Sequence, residues 1–494
     1  MTEMIGFCQE TRPENCGFIL FGATGDLSAR KILPALFGLC EKKLAPAHFY
    51  IVLAARTPLE RGALESRIRS AVTKAGFSPS PERFAAFLER LEYIQADYDS
   101  ADFYKLLSQR LDALDAKFGV KKKRLFYLAT PPAAFNPMVA SLKGAGLLFD
   151  PKDCDCWSRI IVEKPYGSSL QSAAALDAGL KQAAPESQVY RIDHFTGKET
   201  VQNVLTLRSA NGVFNGTWNN RFIDHVQITV FEELGLEGRA AFFERMGLAR
   251  DMMSHILQLA AITAMGLPDT FRDTDFKAEK KRFFESIRPL SRDEVARQVV
   301  RGRYDGYLKE RGVEPGSTVE TFLAFKFNVD NDRWRGVPFY VRAGKKTGQK
   351  TTRIDLVYKK QQHGLFKNID IGNPNVFSFH IQPDEEISFS LISKHPGPKL
   401  CFAQRRLVLD YPVGAAEAST YPTDYERLLI EAMSGDQTLF LSSFEMRFLW
   451  EFLAPLLDAW QQAPGDNPLY GYPDGSAGPA AAAELLNKDG RDWL

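Results

Sequence analysis

Over the first two hundred residues, short apolar runs alternate with stretches of helical spacing. Residues 17–22 (G-F-I-L-F-G) form the first such run and read as a buried strand ending at glycine. Residues 27–44 follow with Leu27, Ile32, Leu36 and Leu39 among the apolar positions, the spacing of a helix face. A second apolar run covers residues 49–55, so the chain opens as a βαβ unit. Residues 59–92, 100–118 and 133–146 read as helical. Residues 124–129, 159–162 and 189–192 read as strands, the first of them stopped by Pro131 and Pro132. This alternation predicts an α/β fold: a Rossmann-like, doubly wound parallel sheet with helices on both faces over residues 1–195.

Beyond residue 200 the pattern changes. Residues 226–230, 354–358, 377–381 and 387–391 alternate apolar and polar positions, which predicts an antiparallel sheet with one face covered. Long helical stretches lie between, at 239–265 and 423–434. A larger α+β domain is therefore expected over residues 196–465. Residues 466–494, with Pro, Gly and an Ala run, are expected to be a loosely held C-terminal tail.

Composition narrows the function classes. A chain of 494 residues is too long for one core. Its 45% apolar and 25% charged content is that of a globular protein, and a net charge of +1 points to neither nucleic acid nor a membrane surface as partner. The six cysteines, Cys8, Cys16, Cys40, Cys154, Cys156 and Cys401, are sparse and form no C-x-x-C pair, so reduced thiols in a cytoplasmic protein are expected. The N-terminus lacks the basic region and apolar core of a signal peptide. No apolar run approaches the ~20 residues of a membrane span.

The first β–α junction carries G-x-x-G-D-L: Gly22, Thr24, Gly25, Asp26 and Leu27. Glycines there let the backbone approach a pyrophosphate, and the helix N-terminus supplies N–H groups and partial positive charge. The spacing differs from G-x-G-x-x-G, and a plain structural turn is the competing interpretation. The second strand ends at Arg56 where an NAD-binding chain would place an acid; a guanidinium suits a 2′-phosphate and favours NADP, while a surface arginine is the alternative.

These residues resemble the glucose-6-phosphate dehydrogenase family. The cofactor turn with Ala55 and Arg56 is similar to its nucleotide motif, Glu163 to Gly167 (E-K-P-Y-G) to its E-K-P-F-G, and Arg191 to Glu199 (R-I-D-H-F-T-G-K-E) to its R-I-D-H-Y-L-G-K-E. Further similarity runs through residues 125–132, 337–345 and 425–429, spanning roughly 17–460. The resemblance implies an oxidoreductase that oxidises D-glucose 6-phosphate at C1 to 6-phospho-D-glucono-1,5-lactone with NADP, at the entry to the pentose phosphate pathway of carbohydrate metabolism. It implies that His194 and Lys198 bind the phosphate, on one face if their segment is helical. It places Lys164 between cofactor and sugar, and Lys345 and Lys350 on the substrate. Glu232 (with Glu233 competing) and Asp251 would take sugar hydroxyls. His255 would be the base and Asp193 its orienting carboxylate. The nicotinamide carries the redox step, so no metal is implied, and a homodimer or homotetramer is expected.

Two positions depart from the family pattern. Phe195 stands where the family has a tyrosine that helps hold the phosphate, which predicts one hydrogen bond fewer. The stretch from Arg250 to Gln258 is one residue shorter than R-D-x-x-Q-N-H-x-L-Q, and on a regular helix a deletion turns the following face by about 100°. A dehydrogenase for another sugar and a non-catalytic NADP or sugar-phosphate sensor are the rival readings. Lys164, Asp193 and His255 argue for catalysis.

Overall fold

The computed structural model describes residues 12–152, 154–360, 372–410 and 421–494. They divide into two units. The first comprises described residues of 12–167, 171–197 and 421–443, and the second those of 168–170, 198–410 and 444–494.

In the first unit, β1 (Cys16–Phe21), β2 (Phe49–Ala55), β3 (Leu91–Gln95), β4 (Lys123–Leu128), β5 (Trp157–Val162) and β6 (Val189–Ile192) are all parallel. Their order is β6-β5-β4-β1-β2-β3, and the short strand Phe440–Leu441 adds antiparallel to β6. This is the doubly wound order expected of a dinucleotide-binding sheet, and it reverses between β4 and β1. β1 and β2 are buried at every position, because helices cover both faces of the sheet. Phe18, Leu20, Ile51, Leu53, Leu125 and Ile161 form its core with Leu36 and Leu428.

Three local features differ from the sequence expectation. The stretch 59–92 is two helices, Arg61–Lys74 and Pro81–Leu88, followed by the start of β3. β3 (L-E-Y-I-Q) is a half-exposed edge strand, so it lacks the apolar run that betrayed the others. Residues 421–443 return to the first unit: Lys42 Nζ lies 2.5 Å from Glu426 Oε2 in a buried pair, and Arg159 donates to Ala432 O at 2.9 Å. Cys154 and Cys156, expected as free thiols, stand within pairing distance in the turn before β5, their Cα atoms 5.1 Å apart.

The second unit is built on a nine-stranded, mostly antiparallel sheet. Its strands include β7 (Ile223–Glu232), β8 (Val299–Tyr304), β9 (Phe322–Asn328), β10 (Pro338–Lys345), β11 (Thr351–Tyr358), β12 (Val376–Gln382), β13 (Glu386–Lys394) and β14 (Phe402–Asp410). The order is β14-β13-β12-β11-β7-β10-β9-β8 and then Leu469–Tyr472. Two neighbours run parallel: β10 beside β7, and Leu469–Tyr472 beside β8. The helix Ala240–Ala264 packs on β7, β9 and β10, and Phe452 of the helix Ser443–Gln462 packs on Phe325 and Phe327. Among the described residues no helix is long and apolar enough to cross a membrane.

Residues 466–494, expected as a loose tail, are instead built into this unit. They supply the ninth strand and the helix Ala480–Asn487, with Leu486 fully buried. Beyond that helix the chain lies along β7 and β10. Arg491 bonds Asp224 at 2.7 and 3.0 Å, Gln227 exchanges hydrogen bonds with Asp492 O and Leu494 N, and Arg342 donates to Leu494 O at 2.8 Å under the Trp493 ring. The anchors are polar and aromatic, so hydrophobic periodicity did not reveal them. They also explain why Gln227 and Thr229, the polar half of the β7 alternation, are buried. Removing residues 489–494 leaves Arg342 and Gln227 short of partners. A cost on the order of 2 kcal/mol or more is expected, read as a lower thermal midpoint in calorimetry; an unchanged midpoint would contradict this anchoring.

Candidate active site

In the first unit the candidate residues follow the C-terminal ends of parallel strands, the edge where open α/β sheets bind ligands. β1 ends at Phe21, and Gly22 turns the chain with φ +79°. A Cβ at Gly22 would sit 2.3 Å from Ala129 O, so only glycine fits. The turn is held from several directions. Gly22 N donates to Ala54 O at 3.0 Å and to the Tyr98 hydroxyl at 2.9 Å, Gly25 N donates to Gly22 O at 2.9 Å, and Ser28 Oγ donates to the same oxygen at 2.9 Å. Thr24 lies in the turn, and Asp26 and Leu27 begin the helical segment that continues through Ser28. Arg56 is exposed immediately after β2, and Thr57, Pro58 and Leu59 bring no carboxylate beside it. The backbone therefore fits a pyrophosphate at the turn, and the end of β2 fits an anionic ribose substituent.

Lys164 follows β5, partly buried, with a cis peptide to Pro165. Its neighbour Glu163, partly exposed as a residue, turns its carboxyl inward to accept from the Tyr127 hydroxyl and from Tyr425 Oη at 3.4 Å. Loss of water there pushes the carboxyl up to about 6. Sequence reading assigned no role to Glu163. The E-K-P motif named it, but only the enclosing tyrosines reveal its state.

β6 delivers Asp193 and His194. Arg191, fully buried, is held by Asp177 and Glu186 at 2.8 Å each, so the arginine of R-I-D-H fixes the strand end. Asp193 is also fully buried. Its Oδ1 accepts from Phe195 N at 3.1 Å, and its carbonyl accepts from Thr196 Oγ1 at 2.7 Å. His194 is half-buried with its ring centroid 4.9 Å from that of Phe195, itself 4% exposed. Residues 194–197 form turns and the helix Glu199–Ala210 starts after Lys198, its N-cap residue. The condition that would place His194 and Lys198 on one helix face therefore fails. The glycine-containing turn between them breaks the helical register.

In the second unit, parallel pairing of β7 and β10 puts Glu232 directly opposite Lys345. The Lys345 ammonium, 3% exposed, donates to Glu232 Oε2 and lies 5.3 Å from the Phe243 ring centroid. Tyr472 Oη donates to Lys345 O at 2.7 Å and fixes its backbone. Glu233 lies beyond the strand and is exposed, so Glu232 is the carboxylate this strand end presents beside Lys345. Lys350 is exposed at the far end of the turn leading to β11 and is not brought against this pair by any described contact.

Asp251 and His255 lie on the helix Ala240–Ala264, whose one non-helical position is Gly247 with φ +63°. From Leu248 onward the helix is regular, so Asp251 and His255, which the shortened sequence leaves four residues apart, share one face. His255 is 3% exposed and Asp251 half-buried. The restart after Gly247 is capped from a distance: the buried Glu320 accepts from Ala249 N at 2.9 Å, and Leu248 N donates to Glu320 O at 3.1 Å. A Cβ at Gly247 would meet Glu320 Oε1 at 2.5 Å, which ties the glycine to the cap. One turn beyond His255, Gln258 is clamped by buried Lys280 and Glu445 at 3.1 and 3.2 Å. Glu320, Lys280 and Glu445 are distant in sequence from the histidine they support, and no local pattern marks them.

A Rossmann-type unit with a glycine turn and a cationic β2 end, joined to an α+β unit with a buried histidine and a lysine–carboxylate pair, defines an NAD(P)-dependent oxidoreductase. Residues 19–203 match the glucose-6-phosphate dehydrogenase NAD binding domain and residues 205–494 match the glucose-6-phosphate dehydrogenase C-terminal domain. The chain belongs to the glucose-6-phosphate dehydrogenase family. It is 38% identical to the glucose-6-phosphate 1-dehydrogenase of Chlamydia muridarum over 97% of this chain and 96% of that one. It is 37% identical to that of Aggregatibacter actinomycetemcomitans over 98% of each. A solved glucose-6-phosphate dehydrogenase in complex with glucose 6-phosphate superposes with a TM-score of 0.87 at 32% identity, covering 98% of this chain and 99% of that one.

The state of Glu163 has a measurable consequence. Its folded value of about 6 exceeds the reference of 4.5, so between those values the folded chain holds more proton than the unfolded one. Its stabilising contribution is complete below about pH 4.5 and is lost as pH rises through about 6, a loss of about 2 kcal/mol. Glu163→Gln should remove that part of the slope in denaturant unfolding followed from pH 4.5 to 7. An unaltered slope would place the carboxyl in water.

Proposed function

We propose that the chain oxidises glucose 6-phosphate at C1 with NADP, giving 6-phosphoglucono-1,5-lactone and NADPH, with His255 as general base and Asp193 as its orienting carboxylate. The observation that carries the substrate side is the Lys345–Glu232 pair. Two parallel strands end together on a buried ammonium and a carboxylate, a donor and an acceptor suited to neighbouring sugar hydroxyls. Asp251 adds a second acceptor on the same helix face as His255, and Lys350 a further cation. His194 and Lys198 take the phosphate, as dianion recognition requires. Lys164 lies with cofactor and sugar. Gly22, Thr24, Gly25, Asp26 and Leu27 cradle the pyrophosphate, with Arg56 at the 2′-phosphate.

The chemistry of this chain's own residues is proton removal and placement. The His255 imidazole takes the C1 hydroxyl proton as C1 is oxidised; histidine titrates close to working pH. The Asp193 carboxylate, already fixed by Phe195 N, is suited to accept from the other ring nitrogen and to stabilise the imidazolium. Bound NADP supplies the hydride acceptor.

A homodimer or homotetramer is the assembly proposed. The edge strand β14 exposes Leu407, Val408 and Leu409 at 56, 40 and 49%, an apolar edge that self-association would cover. The cytoplasm, where NADP and sugar phosphates are at hand, is the proposed location.

Purified protein with glucose 6-phosphate and NADP should form NADPH, and His255→Asn should lower kcat by about 100-fold or more while the substrate KM stays within a few-fold. Ligand binding without turnover in the unaltered protein would favour a sensor. Near-normal kcat in the variant would remove His255 from the mechanism.

A further inference from the structure

We propose that Arg67 is a second guanidinium for the cofactor's 2′-phosphate, acting with Arg56 to set the preference for NADP over NAD. The inference rests on the dehydrogenase reading above and adds a residue to its nucleotide site.

Arg67 lies on the helix Arg61–Lys74, which follows β2. Its side chain turns back toward the sheet edge, where Nη2 donates to Thr24 O inside the glycine turn after β1. From the other side, the Tyr93 hydroxyl of β3 donates to Thr57 O, the carbonyl next to Arg56, and this phenol lies within the field of the Arg67 charge. The guanidinium thus stands among the turn after β1, the turn after β2 and the edge of β3. In a Rossmann unit the pyrophosphate lies at the first of these and the adenosine ribose at the second. A group on the ribose 2′-oxygen would lie between them.

The surroundings suit a dianion. Arg67 lines a cleft of about 780 Å³ with Arg30, Ser66, Ser70 and Lys74. Asp26 is the one carboxylate lining it among the described residues, and Arg30 lies 3.5 Å away as its counter-charge. A guanidinium has five N–H donors, so the bond to Thr24 leaves a fork for bidentate contact with phosphate. The Thr24 bond also restrains a long side chain before the nucleotide arrives, which lowers the entropy lost on binding.

A bracing role for Arg67 is separable from a phosphate role. A brace on the glycine turn serves both cofactors equally, whereas a phosphate contact serves only NADP. The full-length protein is assayed with saturating glucose 6-phosphate, and kcat/KM is measured for NADP and for NAD in Arg67→Ala, Arg56→Ala and the double variant. Arg67→Ala should lower the NADP-to-NAD ratio by at least about tenfold, as expected for a lost charge-assisted contact, with a further fall in the double variant. Equal losses for the two cofactors, or a ratio unaffected by Arg67→Ala, would overturn the proposal. Calorimetric titration with 2′,5′-ADP and 5′-AMP repeats the comparison without turnover. If the unaltered protein proved catalytically silent, the dehydrogenase reading would fail while the Arg67 assignment was still decided by its effect on 2′,5′-ADP alone.

Discussion

Parallel strands end together. Neighbours that run the same way deliver their next residues to a common edge, and antiparallel neighbours scatter them to opposite ends. The first unit uses this across six strands: the glycine turn, Arg56, Lys164 and Asp193 follow β1, β2, β5 and β6 at one edge. The second unit is mostly antiparallel, yet its one parallel pair among β7 to β14 is β7 with β10, and those strands end on Glu232 and Lys345. Asp251 and His255 of that unit sit on a helix packed over the same strands. The backbone cost is met locally. Gly22 takes a conformation no other residue fits, and the carbonyls of Ala54 and Gly22 knit the turn together.

That constraint explains which parts of the molecule were legible in the sequence. β1 and β2 are buried on both faces, so their unbroken apolar runs identify them, and the motif after β1 reads directly as a turn. β3 carries Glu92 and Gln95 on an edge; its first two residues read as the end of a helix and the rest as no element. The alternation in β7 was visible but its meaning was not: the polar half faces the chain's own residues 489–494, held by Arg342, Arg491 and Trp493 rather than by apolar contacts. Nothing periodic encodes that arrangement.

The site residues divide in the same way. His255, Asp251 and Lys345 belong to short motifs and could be named by resemblance. What holds them could not. Glu320 caps the helix of Asp251 and His255 from 71 positions away, through a glycine whose reason is the carboxylate beneath it. Glu163 was part of a recognised motif, but its protonation is set by burial, which raises its pKa against the hydrogen bonds from Tyr127 and Tyr425, and that enclosure is made by the fold. The shortened stretch before His255 is regular helix, which restarts after Gly247 and puts Asp251 and His255 four residues apart on one face. Phe195 contributes its backbone N–H to Asp193 while its ring is buried, so the residue keeps an orienting part even without a phenol.

The central claim is that this chain removes a hydride from C1 of a phosphorylated sugar. Glucose 6-phosphate deuterated at C1 tests it most directly. The account predicts that the deuterium appears on the nicotinamide of the NADPH formed, and that unphosphorylated glucose turns over far more slowly under the same conditions. Unlabelled NADPH from the deuterated sugar, or equal rates with glucose, would contradict it.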